Sequence, residues 1–314
     1  MCLALAVPAS AQAREGSFDR TLSVTGAADL DITSGSGQIR IRPGAPGAVR
    51  ISARLRADWS LFQGRDVEQR IRQIEQNPPI EQRGNAIRVG HFADDDAARN
   101  ISISYDVTVP AETKIAGRTG SGSIDIGDVT GPVDAHSGSG SVTIGRVAGG
   151  VVASAGSGSI KVSGAASLEA RTGSGSIQAT AIAGPAAAKS GSGSISLAQA
   201  GKGDVDASAG SGSVTVSGVD GSARVRSGSG SVTIEGRPSG PWALHSSSGG
   251  VRMTVPPDAA FDLDARVSSG NIDSAIPITM TMSGKIDKRH VVGKVRGGGP
   301  LVEASSSSGG VRIR

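Results

Sequence analysis

Apolar and polar positions alternate along this chain in short blocks, and the blocks recur. A Ser-Gly-Ser-Gly string, one polar residue and then Ile or Val first stands at Ser34-Gly35-Ser36-Gly37-Gln38-Ile39. Further copies close on Ile124, Val142, Ile160, Ile177, Ile195, Val214 and Val232, with looser ones on Val251, Ile272 and Val311. From Ile124 to Val251 the steps are 17 to 19 residues. Ile272 follows after 21 residues and Val311 after a further 39, a gap that predicts one degenerate copy between them.

Positions counted back from the closing residue fall into columns. Nine before it stand Ile115, Val133, Val151, Leu168, Ala186, Val205, Ala223, Trp242, Leu263 and Val302. Seven before, the column is mostly Ala, from Ala135, Ala153 and Ala170 to Ala304. Five before, it is small or hydroxylated: Thr119, Ser137, Ala155, Thr172, Ser190 and their successors. Two after stand Ile126, Ile144, Val162, Ala179, Leu197 and Val216. Period-two alternation marks strands with one buried face, so each repeat predicts two short strands joined by a glycine turn. Glycine suits such a turn if it takes positive φ. Columns of like residues at near-constant spacing predict like stacked on like, which is parallel pairing between successive repeats.

The expected fold class is therefore all-β: a single-stranded parallel β-helix or solenoid, right-handed by analogy with most such folds, with rungs of about 18 residues and a short helical insert or cap. Val67, Ile71 and Ile74 recur at helical spacing, and Asn77-Pro78-Pro79 stops the run. The domain layout read from this is a signal peptide at 1–13 with a truncated positive region, N-terminal strands at 14–55, a helical insert and capping segment at 56–100, and the repeat array at 101–314.

Composition narrows the picture. Gly supplies 47 residues and aromatics only 2%, which suits a thin interior and not a broad core. Leu3 to Val7 followed by Ala11-Gln12-Ala13 reads as an export signal. The expected location is exported: periplasmic, cell-surface or extracellular. Cys2 is the sole cysteine and would leave with the signal, so no disulfide, thiolate metal site or cofactor is expected. No apolar run has the 18 or so residues a membrane span needs. The net charge of +4 is spread along the chain and does not read as a nucleic-acid domain.

The early alternating strands, the helical insert, the Ile101-to-Pro110 strand and the Ser-Gly-rich units closing on Ile or Val resemble the bacterial β-strand-repeat candidate adhesins, a family built around a domain of unknown function. The resemblance implies export and repeated Gly-containing strands, and it brings no catalytic residues.

Chemistry is sparse. Six before the closing residue stand Arg118, His136, Arg171, Lys189, Arg226, His245 and Arg266, interrupted by Ser154 and Ser208. Lying next to an inward column, this one points outward. It reads as a basic stripe for an anionic glycan or a membrane surface, or as a plain solvated face. The carboxylates Asp125, Asp128 and Asp134, the pair Asp204 and Asp206, and the pair Asp262 and Asp264 are the candidates for a glycan-cleaving centre. They alternate with inward residues and have no companion aromatic set. Asp94-Asp95-Asp96 lacks the alternate spacing of a calcium loop. The expected function is a non-catalytic exported envelope or adhesin-like protein presenting a repetitive rigid surface. The alternatives are a carbohydrate-active enzyme or an envelope spacer.

Overall fold

The computed structural model describes residues 14–57, 64–92, 98–279 and 289–314. The expected export signal, with Cys2, and the Asp94-Asp95-Asp96 segment lie outside them. The chain opens with β1 (Arg14–Ser23), β2 (Asp29–Ser34), β3 (Ile39–Pro43) and β4 (Ala48–Ala57), passes through helix α1 (Gly64–Gln76), and continues as β5 (Ile80–Arg83), β6 (Ala86–Val89) and β7 (Ile101–Val109). Strands then come two at a time: β8 (Lys114–Thr119) and β9 (Ile124–Ile126), β10 (Val133–Ser137) and β11 (Val142–Arg146), β12 (Gly150–Ala155) and β13 (Ile160–Gly164), β14 (Ser167–Thr172) and β15 (Ile177–Ile182), β16 (Ala186–Ser190) and β17 (Ile195–Gln199). After β18 (Val205–Ala209) come two long strands, β19 (Val214–Ser227) and β20 (Val232–Ser246). The end comprises β21 (Val251–Thr254), β22 (Phe261–Val267), β23 (Ile272–Ser274), β24 (His290–Val295), β25 (Leu301–Ser306) and β26 (Val311–Ile313).

The expectation of a single-stranded parallel β-helix with periodic rungs is corrected, and its handedness goes with it. The described residues form one sheet of 26 strands that curls into a nearly closed, barrel-like tube around one interior and carries one helix. The sheet is mixed. β1 and β7 each pair antiparallel with β4, β5 with β6, and β22 with β24. Alternation of apolar and polar residues is the same in parallel and antiparallel strands, so the pattern could not show these reversals. The repeat spacing persists as register: Val133 pairs with Ile115 on one side and Val151 on the other, and Val142 with Ile124 and Ile160. Strands β19 and β20 run through both ladders and join them.

The strand order departs from chain order at both ends. β2 lies between β6 and β8, and β3 between β7 and β9. β25 lies between β20 and β22, and β26 between β21 and β23. Among the described residues, the gap before Val311 therefore holds no degenerate copy. It holds β24, antiparallel on β22, and the chain then turns back to insert its last two strands one position inside the end of the sheet. Helix α1 buries Val67, Ile71 and Ile74 against β1. Glu75 accepts a hydrogen bond from the Ser17 backbone N–H at 2.7 Å, so the helix covers the first strand of the sheet.

The turn glycines work differently from the expectation. In the Ser-Gly-Ser-Gly strings of β8 to β20 none of them has positive φ. They are glycine because the next turn lies directly on top: a Cβ at Gly140, Gly158, Gly175 or Gly193 would stand 2.0–2.1 Å from the carbonyl oxygen of the matching glycine one repeat earlier. The buried hydroxyl column binds these turns together. Ser190 Oγ donates to Gly175 O at 2.9 Å and accepts from Gly193 N–H at 2.9 Å, and Thr172, Ser227 and Ser246 do the same in their repeats. Ser190→Ala leaves a carbonyl and an N–H without that partner inside the protein. It should cost about 1–3 kcal/mol, the usual penalty for a buried orphan, read as a lower urea midpoint at unchanged slope. Ala155 occupies the same column, and Ala155→Ser should move the midpoint the other way.

Candidate functional site

Inward residues in both ladders are buried, mostly aliphatic apart from the hydroxyl column already bonded to the turns, so recognition chemistry sits on the outside. Register fixes what lies there. Read across β8, β10, β12, β14, β16, β18, β19, β20, β25 and β22, the outward column is Arg118, His136, Ser154, Arg171, Lys189, Ser208, Arg226, His245, Ser305 and Arg266. His290 of β24 ends it, opposite Arg266. All seven expected stripe residues thus share one file, with neighbours about 4.8 Å apart. Ser305 separates His245 from Arg266, because β25 intervenes.

A second file runs beside the first, two residues earlier on each strand, and sequence reasoning missed its meaning. In the same order, beginning on β2, it reads Asp31, Ala116, Asp134, Val152, Glu169, Ala187, Asp206, Arg224, Ala243, Glu303 and Asp264. Most of its acids neutralise the stripe. Arg118 Nη1 lies 3.2 Å from Asp31 and Nη2 3.9 Å from Asp134; Arg171 lies 2.8 Å from Glu169 and Lys189 3.9 Å from Asp206. His136 Nε2 lies 2.5 Å from Asp134 Oδ1. Arg266 and His290 lie 2.8 and 3.0 Å from Asp264. Burial opposes ionisation of Asp264, but hydrogen bonds from Arg266 and His290 outweigh it and hold its carboxyl below the usual range. The signal was in the sequence: Asp134, Glu169 and Asp264 each stand two before a stripe residue, hence on the same face. These pairs are half-exposed and worth about 0–1 kcal/mol each, so they set charge pattern more than stability.

Arg226 and His245 are the exceptions. The position that holds an acid in several other repeats holds Arg224, and among the described residues neither arginine lies within ion-pair distance of a carboxylate. His245 beside them is occupied by hydroxyls, Ser305 Oγ at 2.9 Å and Ser247 Oγ at 3.3 Å.

Along the acidic file runs a groove of about 1150 Å³, from Lys114 and Arg118 to Leu301 and Glu303. Val152, Leu301 and Val292 are the exposed large apolar residues of the described chain, and the first two line this groove.

Of the other candidate carboxylates, Asp125, Asp128 and Asp204 are already engaged, whereas Asp262 Oδ1 is buried with no hydrogen-bond partner among the described residues. Arg42 Nη2 lies 2.9 Å from Asp125, on the second ladder and away from Asp134. Asp128 accepts the Arg146 backbone N–H at 2.8 Å, which holds its carboxyl below the usual range. Asp204 accepts the Ser222 N–H at 3.0 Å. Among the described residues no three His, Cys, Asp or Glu side chains are grouped to hold a metal ion, and no helix is long and apolar enough to cross a membrane.

A sequence profile of the family described as Toastrack DUF4097 matches residues 82–314. No curated protein matches the chain. Among solved structures, a candidate adhesin from Parabacteroides merdae is 10% identical, with a TM-score of 0.34 over 95% of this chain and 96% of that one. A candidate cell adhesion protein from Clostridium sporogenes is 10% identical, with a TM-score of 0.21 over 96% and 99%. A candidate adhesin from Bacteroides fragilis is 10% identical, with a TM-score of 0.25 over 95% of each.

Proposed function

The chain belongs to the Toastrack DUF4097 family, and from that premise we propose that it is an exported, non-catalytic protein of adhesive or structural type that meets anionic polymers or membrane surfaces with the outward face of its first ladder. The observation that carries the reading is the alignment of seven basic and imidazole side chains in one file by strand register. Their neutralisation shifts the weight. Arg118, Arg171, Lys189 and Arg266 already face carboxylates. The anion-binding centre is therefore Arg224 and Arg226, where two guanidiniums stand together on β19.

The test uses the full chain with two probes: vesicles of anionic and of zwitterionic lipid, and a soluble polyuronate. Binding at low salt should weaken toward physiological ionic strength, as exposed charges are screened. The double change Arg224→Gln, Arg226→Gln should lower affinity about tenfold, or about 1.4 kcal/mol, while Arg171→Gln should change it little. Equal binding by the double variant and the parent would sink the anionic centre. Absence of binding to either probe at low salt would leave only a spacer role. The non-catalytic reading has its own check: no new reducing ends should form on the polyuronate during long incubation.

A further inference from the structure

We propose that the groove beside the stripe seats one extended chain of an uncharged β-1,4-linked glycan, lying across the strands with one disaccharide for every two strands. The proposal deepens the adhesive reading and rests on it, and the two sites meet at Arg224, which lines the groove while Arg226 does not.

Dimensions come first. The groove runs from Lys114 on β8 to Leu301 on β25. Crossing nine strands at about 4.8 Å makes it about 38 Å long. A volume of about 1150 Å³ over that length is a long, shallow channel with room for one unbranched chain.

The floor then selects the chain. Ala116, Asp134, Val152, Glu169, Ala187 and Asp206 alternate small apolar with acidic groups in consecutive strands. Carboxylates therefore recur about every 10 Å, twice the strand spacing. In a β-1,4-linked chain each sugar is turned over relative to the last, so the chain repeats every second sugar, at close to that interval. Each repeat can set a hydroxyl edge on a carboxylate and a C–H surface on the next Ala or Val. An extended peptide repeats at about 7 Å and falls out of step. A polyproline helix repeats at about 9 Å, but such peptides dock on aromatic-lined grooves. The one ring here, Trp242, is 1% exposed and donates its indole N–H inward to Gly221 O at 3.0 Å.

Charge disfavours a polyanion along the length of the groove, away from Arg224. Its lining carries Lys114, Arg118 and Arg224 against Asp134, Glu169, Asp204, Asp206 and Glu303. With no ring to stack on, contacts are weak per sugar and accumulate along the chain.

Calorimetry on the full chain, with uncharged chito- and cello-oligosaccharides of two to ten sugars, tests this. Affinity should rise at least about tenfold from four sugars to eight, level off when the groove is full, and hardly respond to salt. Val152→Arg, at a position 42% exposed, should lower octamer affinity about tenfold, and adding Ala187→Arg should abolish it. Thr215→Arg, on the outward face of the other ladder, should leave binding unchanged. Thermal melts check that the variants fold, and if the double variant melts early the single one decides. Affinity that ignores length, equal binding of α-1,4-linked oligomers, tighter binding of a polyproline peptide, or an unaffected Val152→Arg overturns the proposal. Loss of polyuronate binding in an Arg226→Gln variant, a position outside the groove lining, with oligosaccharide binding intact separates the two sites. Oligosaccharide failure with polyuronate binding intact sinks the groove alone.

Discussion

Removal of residues 299–314 should detach the whole C-terminal end of the sheet, not only the segment deleted. β25 is hydrogen-bonded on both sides, with Val302 opposite Trp242 of β20 and opposite Leu263 of β22. β26 is likewise held on both sides, with Val311 opposite Val251 of β21 and opposite Ile272 of β23. Without them β22 and β23 have no parallel partner, and β24 keeps only β22 and the bridge from Lys294 to Thr279. Val302, Val311 and Ile313 are 0–1% exposed, and burying side chains of this kind is worth about 1.5–3 kcal/mol each. The direct loss is thus about 5–9 kcal/mol, against a usual total of about 5–15 for a folded domain. In a simple linear repeat array, loss of the last unit removes only its own interface. Limited proteolysis of the chain ending at Gly298 should therefore cut within 256–279 at conditions where the full chain resists, while the ladders before Thr254 stay protected. Resistance of 256–279 in the shortened chain would show that β25 and β26 do not hold the end together.

What the sequence revealed and what it hid divide along a physical line. Inward columns were legible because burial is periodic along a strand. Val133, Ala135 and Ser137 are all buried, and Asp134 and His136 between them are not. Register was legible because like residues stack on like, as Val151 does between Val133 and Leu168. Direction and order were not. Ile51 and Ala53 pair antiparallel with Val107 and Tyr105, yet their alternation reads the same either way. Nothing local told that Val311 would return between Val251 and Ile272. The stripe's position was legible, but its charge was not. Asp134 was read as a candidate acid and Glu169 was not singled out at all, and only strand register shows them as a file parallel to Arg118, His136 and Arg171. The glycines were read for conformational freedom, where the fold uses them for close approach.

That last difference gives a second large expected effect. Gly158→Ala should destabilise the protein by about 3 kcal/mol or more, at the upper end of what overpacking costs. A Cβ there would stand 2.1 Å from Gly140 O, 2.4 Å from Gly140 C and 2.8 Å from Ser141 N. All three are backbone, so no side-chain rotamer relieves the contact. The strands would have to part locally. The adjacent hydroxyl bond from Thr172 to Gly158 O, 2.9 Å long, would be strained as well. Gly35 provides the control. It lies in the same kind of string, has no positive φ, and a Cβ there meets nothing within 4 Å. Gly35→Ala should therefore be neutral or stabilising by about 0.4–1 kcal/mol, because alanine restricts the unfolded chain. Urea melts of both variants read the difference directly. If positive φ were the reason for these glycines, both substitutions would be costly. If close stacking is the reason, only Gly158→Ala is, and equal midpoints for the two variants would rule that out.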